Sequence, residues 1–171
     1  MKILYLSCHA VLEYSELGIL TELDETLDED LQIEVFSLGA YTNPLQQGNF
    51  LRNVIPKGRF YQSLYDIAMR CDKDNIHPDL IEWADVIFMM HNSSVPGQKS
   101  PQAWLTNNWQ KFKDQKKKVI WRSIGQSTPE IEKLLSGYRS KGLYILRYSP
   151  IEDRIPNYAG HDAIIRFSEK E

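Results

Sequence analysis

The chain has 171 residues, of which 42% are hydrophobic and 25% charged, and its net charge is −3. A chain of this length buries roughly 70% of the surface that its unfolded form exposes, so it needs neither disulfides nor a metal to fold. These proportions exclude disordered, collagenous and coiled-coil proteins. No apolar run approaches the roughly 18 residues that cross a membrane, and no signal peptide is recognisable. The two cysteines lie far apart, so we predict a reduced, cytoplasmic protein.

The charge is unevenly distributed along the chain. Residues 1–51 carry a net charge of −8, and the remainder carries +5. The stretch 99–122 holds seven bases and the single acid Asp114. Such asymmetry is typical either of an anion-binding surface or of solvated helix faces.

The first half of the chain alternates strand and helix patterns. An apolar run at 3–6 predicts a buried strand, and leucines at helical spacing over 20–27 predict a helix after it. A second strand pattern lies at 33–38, and apolar residues recur at helical spacing over 60–68. Turn-forming residues separate these last two patterns.

The second half continues the alternation. Pro78 and Asp79 indicate the start of a short helix. The run 86–90 is apolar throughout, which is typical of a central strand covered on both faces. A helix stripe over 105–112 leads to a strand at 119–121.

The last predicted helix has recognisable ends. Ser127 and Glu130 stand at capping-box spacing, and Gly142 closes the helix. Strands at 143–146 and 163–165 complete the chain. The alternation predicts an α/β fold, namely a three-layer αβα sandwich around a doubly wound, mostly parallel, Rossmann-like sheet of about six strands. With no repeat or linker, residues 1–171 form one predicted domain.

Polar clusters follow several strands abruptly, and ligands of open α/β sheets bind outside the carboxyl ends of the strands. His9 and His91 lie at two such ends, and histidine is suited to general base work near neutral pH. We therefore predict these two as catalytic residues that take a proton from a sugar hydroxyl. The alternative is that each caps a helix or bonds a loop carbonyl.

Further strand-end residues are predicted to bind substrate. Arginine pairs well with phosphate or carboxylate, while serine, glutamine and glutamate offer hydrogen bonds. The alternative for the arginines is a salt bridge with Glu130, Glu152 or Asp153. The predicted substrate-binding residues are Ser93, Arg122, Gln126, Arg147 and Glu152.

Several standard sites are absent from the sequence. There is no G-x-G-x-x-G after the first strand, no P-loop, and no C-x-x-C, H-E-x-x-H or G-x-S-x-G motif. We predict no metal and no cofactor. Trp104, Trp109 and Trp121 interleave with the basic stretch, but a pI near 5.8 argues against nucleic acid as a partner.

The assembled pattern resembles the N-terminal domain of GT-B glycosyltransferases, the retaining group that uses nucleotide sugars. The resemblance covers nearly the whole chain and is one of order rather than of a single signature. The pieces that carry it are MKILYLSCH at 1–9, LTEL at 20–23, EVFSL at 34–38, WADVIF at 83–88, KVIWR at 118–122 and IPNYAGHD at 155–162.

The resemblance implies the acceptor-side half of a two-domain hexosyltransferase. Its partner molecule would be a small-molecule or glycan acceptor, with the nucleotide sugar held by a second domain that this chain lacks, so that the chain alone is inactive. An exposed half-cleft could also favour a homodimer. The chain departs from the family in lacking the glycine-rich loop after the first strand, where His9 and Glu13 stand.

Two other interpretations stay open from the sequence. One is a non-catalytic flavodoxin-like or Rossmann-like module for ligand binding or regulation. The other is a small hydrolase that uses Cys8 and His9, although a small buried thiol is the more common role of such a cysteine.

Overall fold

A computed structural model of the protein describes residues 1–7, 32–37, 74–92, 100–124, 127–147 and 155–164. Every strand predicted from the sequence has a counterpart within these ranges, whereas the helices predicted over 20–27 and 60–68 lie outside them. The described elements are β1 Lys2–Ser7, β2 Gln32–Ser37, α1 Pro78–Trp83, β3 Val86–Asn92, α2 Ser100–Asp114, β4 Lys118–Ile124, α3 Pro129–Arg139, β5 Tyr144–Arg147 and β6 Ala163–Ile164.

The strands form a parallel sheet in the order β2-β1-β3-β4-β5-β6. Consecutive strands along the chain are therefore joined by crossovers, as the alternation of helix and strand patterns predicted. The α/β class and the parallel sheet are confirmed. Within the described residues, none of the helices has the length and apolar character required to traverse a bilayer.

One face of the sheet, which we call the helix-covered face, packs on α1, α2 and α3. Leu4, Ile87, Val119 and Ile145 lie on it in one cluster with buried residues of these helices. Burial of this face supplies most of the hydrophobic stabilisation that the described residues show, at about 25 cal/mol per Å² of apolar surface. The side chains that the helices contribute are Leu80, Ile81, Trp104, Leu105, Trp109, Phe112, Ile131 and Leu135, and Ile76 joins them from just before α1.

The other side of the sheet, which we call the opposite face, is also buried at its centre. Tyr5 and Phe88 stack there with ring centroids 5.2 Å apart, and Met90 is fully buried. Successive residues of a strand point to alternate faces, and all of Val86–Met90 is buried. The structure therefore confirms that β3 is an internal strand of the sheet and that its apolar run is buried.

The helix starts agree with the sequence signals, with one correction. Pro78 begins α1 behind His77, whose ring accepts a bond from the Asp79 amide. The predicted cap of α3, Ser127, is wrong. Thr128 is the N-cap, and its Oγ1 accepts a bond of 3.3 Å from the amide of Ile131. Serine and threonine are both good N-caps. Because Pro129 occupies the first helical position, the residue directly before it, Thr128, is the N-cap.

The turn that follows α2 places a lysine in a backbone conformation that favours glycine. Lys116 has a positive φ of 56°. The Lys117 amide donates to the carbonyl of Phe112 at 2.8 Å, and the Lys116 amide donates to the carbonyl of Lys113 at 3.0 Å. These two bonds form a Schellman motif, whose left-handed position is usually glycine. A side chain at this position carries backbone strain.

We expect Lys116→Gly to raise the free energy of unfolding by about 0.5–1 kcal/mol, because relief of the strain exceeds the greater entropy of the unfolded glycine. Lys111→Gly is the matched control, since it removes an exposed lysine from the interior of the same helix and should cost about 1 kcal/mol. Urea denaturation followed by tryptophan fluorescence measures both. A loss of stability in Lys116→Gly would contradict the expectation.

Candidate functional site

Three predicted site residues lie at the carboxyl edge of the sheet within the described residues, namely His91, Arg122 and Arg147. His91, Ser123 and Arg147 are register partners across β3, β4 and β5, so they form one row on the helix-covered face. Arg122 precedes this row by one residue and therefore lies on the opposite face. The structure brings His91 and Arg147 into one row and separates Arg122 from them. Four other predicted site residues lie outside the described residues, namely His9, Ser93, Gln126 and Glu152.

The ring of His91 is held against an indole. It is 2% exposed and stacks on Trp121 with ring centroids 5.2 Å apart and an interplanar angle of 27°. Such offset stacking of flat rings fixes the plane of the imidazole. A fixed ring suits a general base, which has to meet its proton donor in one orientation.

Arg147 is committed to contacts within the protein. Its Nη1 and Nη2 donate to Oε1 and Oε2 of Glu132 at 2.9 and 2.8 Å, and both side chains are almost completely buried. Its Nε donates to the carbonyl of Gly160 at 2.8 Å, and its guanidinium lies 4.7 Å from the centre of the Tyr158 ring. The salt-bridge partner is thus Glu132, which is none of the three acids that the sequence suggested, Glu130, Glu152 and Asp153. A ligand role for Arg147 stays a prediction, and the structure gives this side chain a structural role.

The segment 155–164, which we call the strap, is tied to α3 and β5 by several polar contacts. Glu132 Oε2 also accepts from the amide of Ala159 at 2.9 Å. Arg139 donates to the carbonyls of Ala159 and His161 and to Asp162 Oδ1. Asp162 in turn accepts from the amide of Ile145 at 2.7 Å. The strap therefore depends on two arginines and two acids rather than on apolar burial alone.

Arg122 has a very different environment from Arg147. Its side chain is completely buried, and its Nη1 donates to the sulfur of Met90 at 3.4 Å. Among the residues that the structure describes, its Nε and Nη2 have no hydrogen-bond partner. A thioether sulfur is only a weak acceptor, so this guanidinium is the least compensated charged group of the described core.

The strand order indicates where at the carboxyl edge a ligand is expected. β2 lies on one side of β1 and β3 lies on the other, so the order of the strands reverses at β1. Such a reversal is the topological switch point at which ligands of doubly wound sheets bind. The register of Leu6 with Met89 brings the ends of β1 and β3 side by side. His91 lies at one of these ends, and the sequence places His9 two residues beyond the other.

Sequence reasoning missed Glu132 and Gly160 as structurally important residues. Glu132 stands among the polar residues of an amphipathic helix pattern, and that pattern predicts an exposed side chain. The signal that could have found it is Arg147 itself, since a charged residue at the end of an apolar strand is rarely buried unless an acid pairs with it. The positive φ of Gly160, 75°, has no counterpart in the local sequence pattern.

The described residues contain no group of three or more histidine, cysteine, aspartate or glutamate side chains placed to hold a metal ion. No family model, no curated protein and no solved structure matches this chain.

Proposed function

We propose that this chain is the acceptor-side domain of a GT-B-like glycosyltransferase, with its site at the switch point between β1 and β3. The observation that carries the proposal is the adjacency of the carboxyl ends of β1 and β3. His91 lies in the last two residues of β3, and His9 follows β1 by two residues in the sequence. One of them takes the proton of an acceptor hydroxyl as the new glycosidic bond forms. The bond between the sugar and the nucleotide diphosphate breaks in the same reaction, and its leaving group requires stabilisation by a donor-binding half.

We also propose that the sheet is doubly wound, giving three layers. Both α2 and α3 join neighbouring strands in the direction β3 to β5, and they cover one face. β2 lies on the other side of β1, so a right-handed crossover from β1 to β2 runs over the opposite face. The complete burial of Tyr5 and Met90 on that face supports a third layer.

Sugar binding by the purified chain tests the proposed function. We expect saturation-transfer NMR to detect mono- or oligosaccharides, and His91→Gln to weaken their binding at least about tenfold, which is about 1.4 kcal/mol. His77→Asn is the matched control, because it removes an exposed histidine and retains a good helix cap. Absence of any sugar binding, or equal affinity in a folded His91→Gln variant, would contradict the proposal.

The second candidate is a non-catalytic ligand-binding module. The observed order β2-β1-β3-β4-β5 is that of flavodoxin-like sheets, which bind flavin mononucleotide at the same switch point. Titration with flavin mononucleotide and other mononucleotides separates the two candidates. Tight mononucleotide binding without any sugar binding favours the module.

A further inference from the structure

The buried guanidinium of Arg122 needs an anion that the described residues do not supply. Arginine stays charged at any physiological pH, and a buried charge without a partner is strongly destabilising. Burial of Arg122 is complete, and its one hydrogen bond within the described residues goes to the Met90 sulfur. A neutral sulfur does not compensate a full positive charge.

The two buried arginines of the carboxyl edge, Arg147 and Arg122, differ in the partners that compensate their charge. Arg147 is equally buried, and a bidentate carboxylate and a carbonyl satisfy it. Arg122 stands one row away on the opposite face, and no carboxylate of the described residues reaches it. On the adjacent strands β5 and β4, one buried arginine thus has a carboxylate partner and the other has none among the described residues.

The incomplete edge has the geometry of an oxyanion fork. Nε and Nη2 lie on the same edge of a guanidinium, and their N–H groups point in parallel toward the two oxygens of a carboxylate or phosphate. These are the two nitrogens without a partner among the described residues, whereas Nη1 is held by Met90. The sulfur contact therefore orients the guanidinium and leaves the two N–H groups of its bidentate edge buried and without a partner among the described residues.

We propose that Arg122 binds an oxyanion of the ligand, a phosphate or a carboxylate, on the opposite face at the carboxyl end of β4. The inference rests on the proposed function and deepens it, since it assigns a negatively charged acceptor, either a sugar phosphate or an acidic sugar. The charge is recognised by Arg122, and the hydroxyl is recognised elsewhere at the switch point.

Thermal unfolding at constant ionic strength tests this site, with inorganic pyrophosphate and malonate as the phosphate and carboxylate probes. We expect the better probe to raise the Tm of the wild-type chain by about 5–10 °C at roughly a hundred times its Kd, relative to chloride. The identity of that probe distinguishes a phosphate site from a carboxylate site. No shift with either probe would overturn the proposal.

Variants separate the fork from general electrostatic attraction. Arg122→Met should remove the response and raise the Tm in chloride, because it deletes an uncompensated buried charge. Arg122→Lys, which keeps the charge without the fork, should weaken probe binding at least tenfold. Lys118→Met is the matched control, since this exposed residue lies on the same face of the same strand and its loss should leave the response intact. A lower Tm of Arg122→Met in chloride, or a lost response in Lys118→Met, would overturn the assignment.

The two proposals fail in different ways. Sugar binding that depends on His91 but not on Arg122 would overturn the oxyanion site and leave the acceptor role standing. A probe response that depends on Arg122, without binding of any sugar or sugar phosphate, would support the oxyanion site and contradict the acceptor role. Glucose 1-phosphate and glucose are the paired ligands for this comparison.

Discussion

Replacement of Glu132 by glutamine is expected to lower the free energy of unfolding by about 3–5 kcal/mol. The substitution removes the charge that compensates Arg147 and leaves a buried guanidinium without a counter-ion. Both side chains are at most 1% exposed, so water cannot take over the lost interaction. Because domains are stable by only about 5–15 kcal/mol, this loss is a large fraction of the total.

Glu130→Gln is the control for this variant. Glu130 is an exposed acid in the same first turn of α3, so it tests the helix-dipole contribution without the buried pair. We expect it to change stability by less than about 1 kcal/mol. Urea denaturation curves with equal slopes would make the two variants directly comparable.

A double-mutant cycle identifies the ion pair as the cause. The variant Glu132→Gln with Arg147→Met has no buried charge at this position, so its destabilisation should fall short of the sum of the single variants by about 2 kcal/mol or more. Some loss remains, because the Ala159 amide and the Gly160 carbonyl lose their charged partners. Additive effects would show that the two side chains act independently and would contradict the structural role of the pair.

Replacement of Gly160 by alanine is expected to cost about 2–4 kcal/mol. The residue has a φ of 75°, which is strained for any side chain, and an added Cβ would overlap Nη1 of Arg139. Arg139 would have to move away from the carbonyls and the aspartate that it holds. The strap would then lose the polar contacts that Arg139 makes with it.

Gly137→Ala is the matched control for Gly160→Ala. Gly137 lies in α3, where an added Cβ would meet nothing within 4 Å, so alanine should stabilise the helix by about 0.5–1 kcal/mol. Opposite signs for the two substitutions in the same denaturation assay are the expected result. Hydrogen exchange at the amides of Ile145 and Asp162 would locate the effect in the strap. Equal, small effects would contradict the close packing of Gly160.

The sequence predicted the local part of this structure well. Strands such as β3 are recognisable because a continuous apolar run needs burial on both faces, which only a central strand offers. Pro78 and Gly142 mark helix ends because their backbone preferences act within a few residues. The position of polar residues at strand ends could also be read directly from the chain. The prediction that Ser127 caps α3 was wrong, because the neighbouring Thr128 also has a hydroxyl that can accept from the first amides of the helix.

The sequence by itself determined the alternation of strands and helices and the polar residues that follow the strands. Only the tertiary structure decided that Arg147 meets Glu132, while Arg122 is buried on the opposite face with two N–H groups that have no partner among the described residues. The reason is that strand register assigns each side chain to a face, and register depends on pairing between distant segments. Two arginines that look alike in the sequence therefore differ in their partners, and this difference is what points to an oxyanion site.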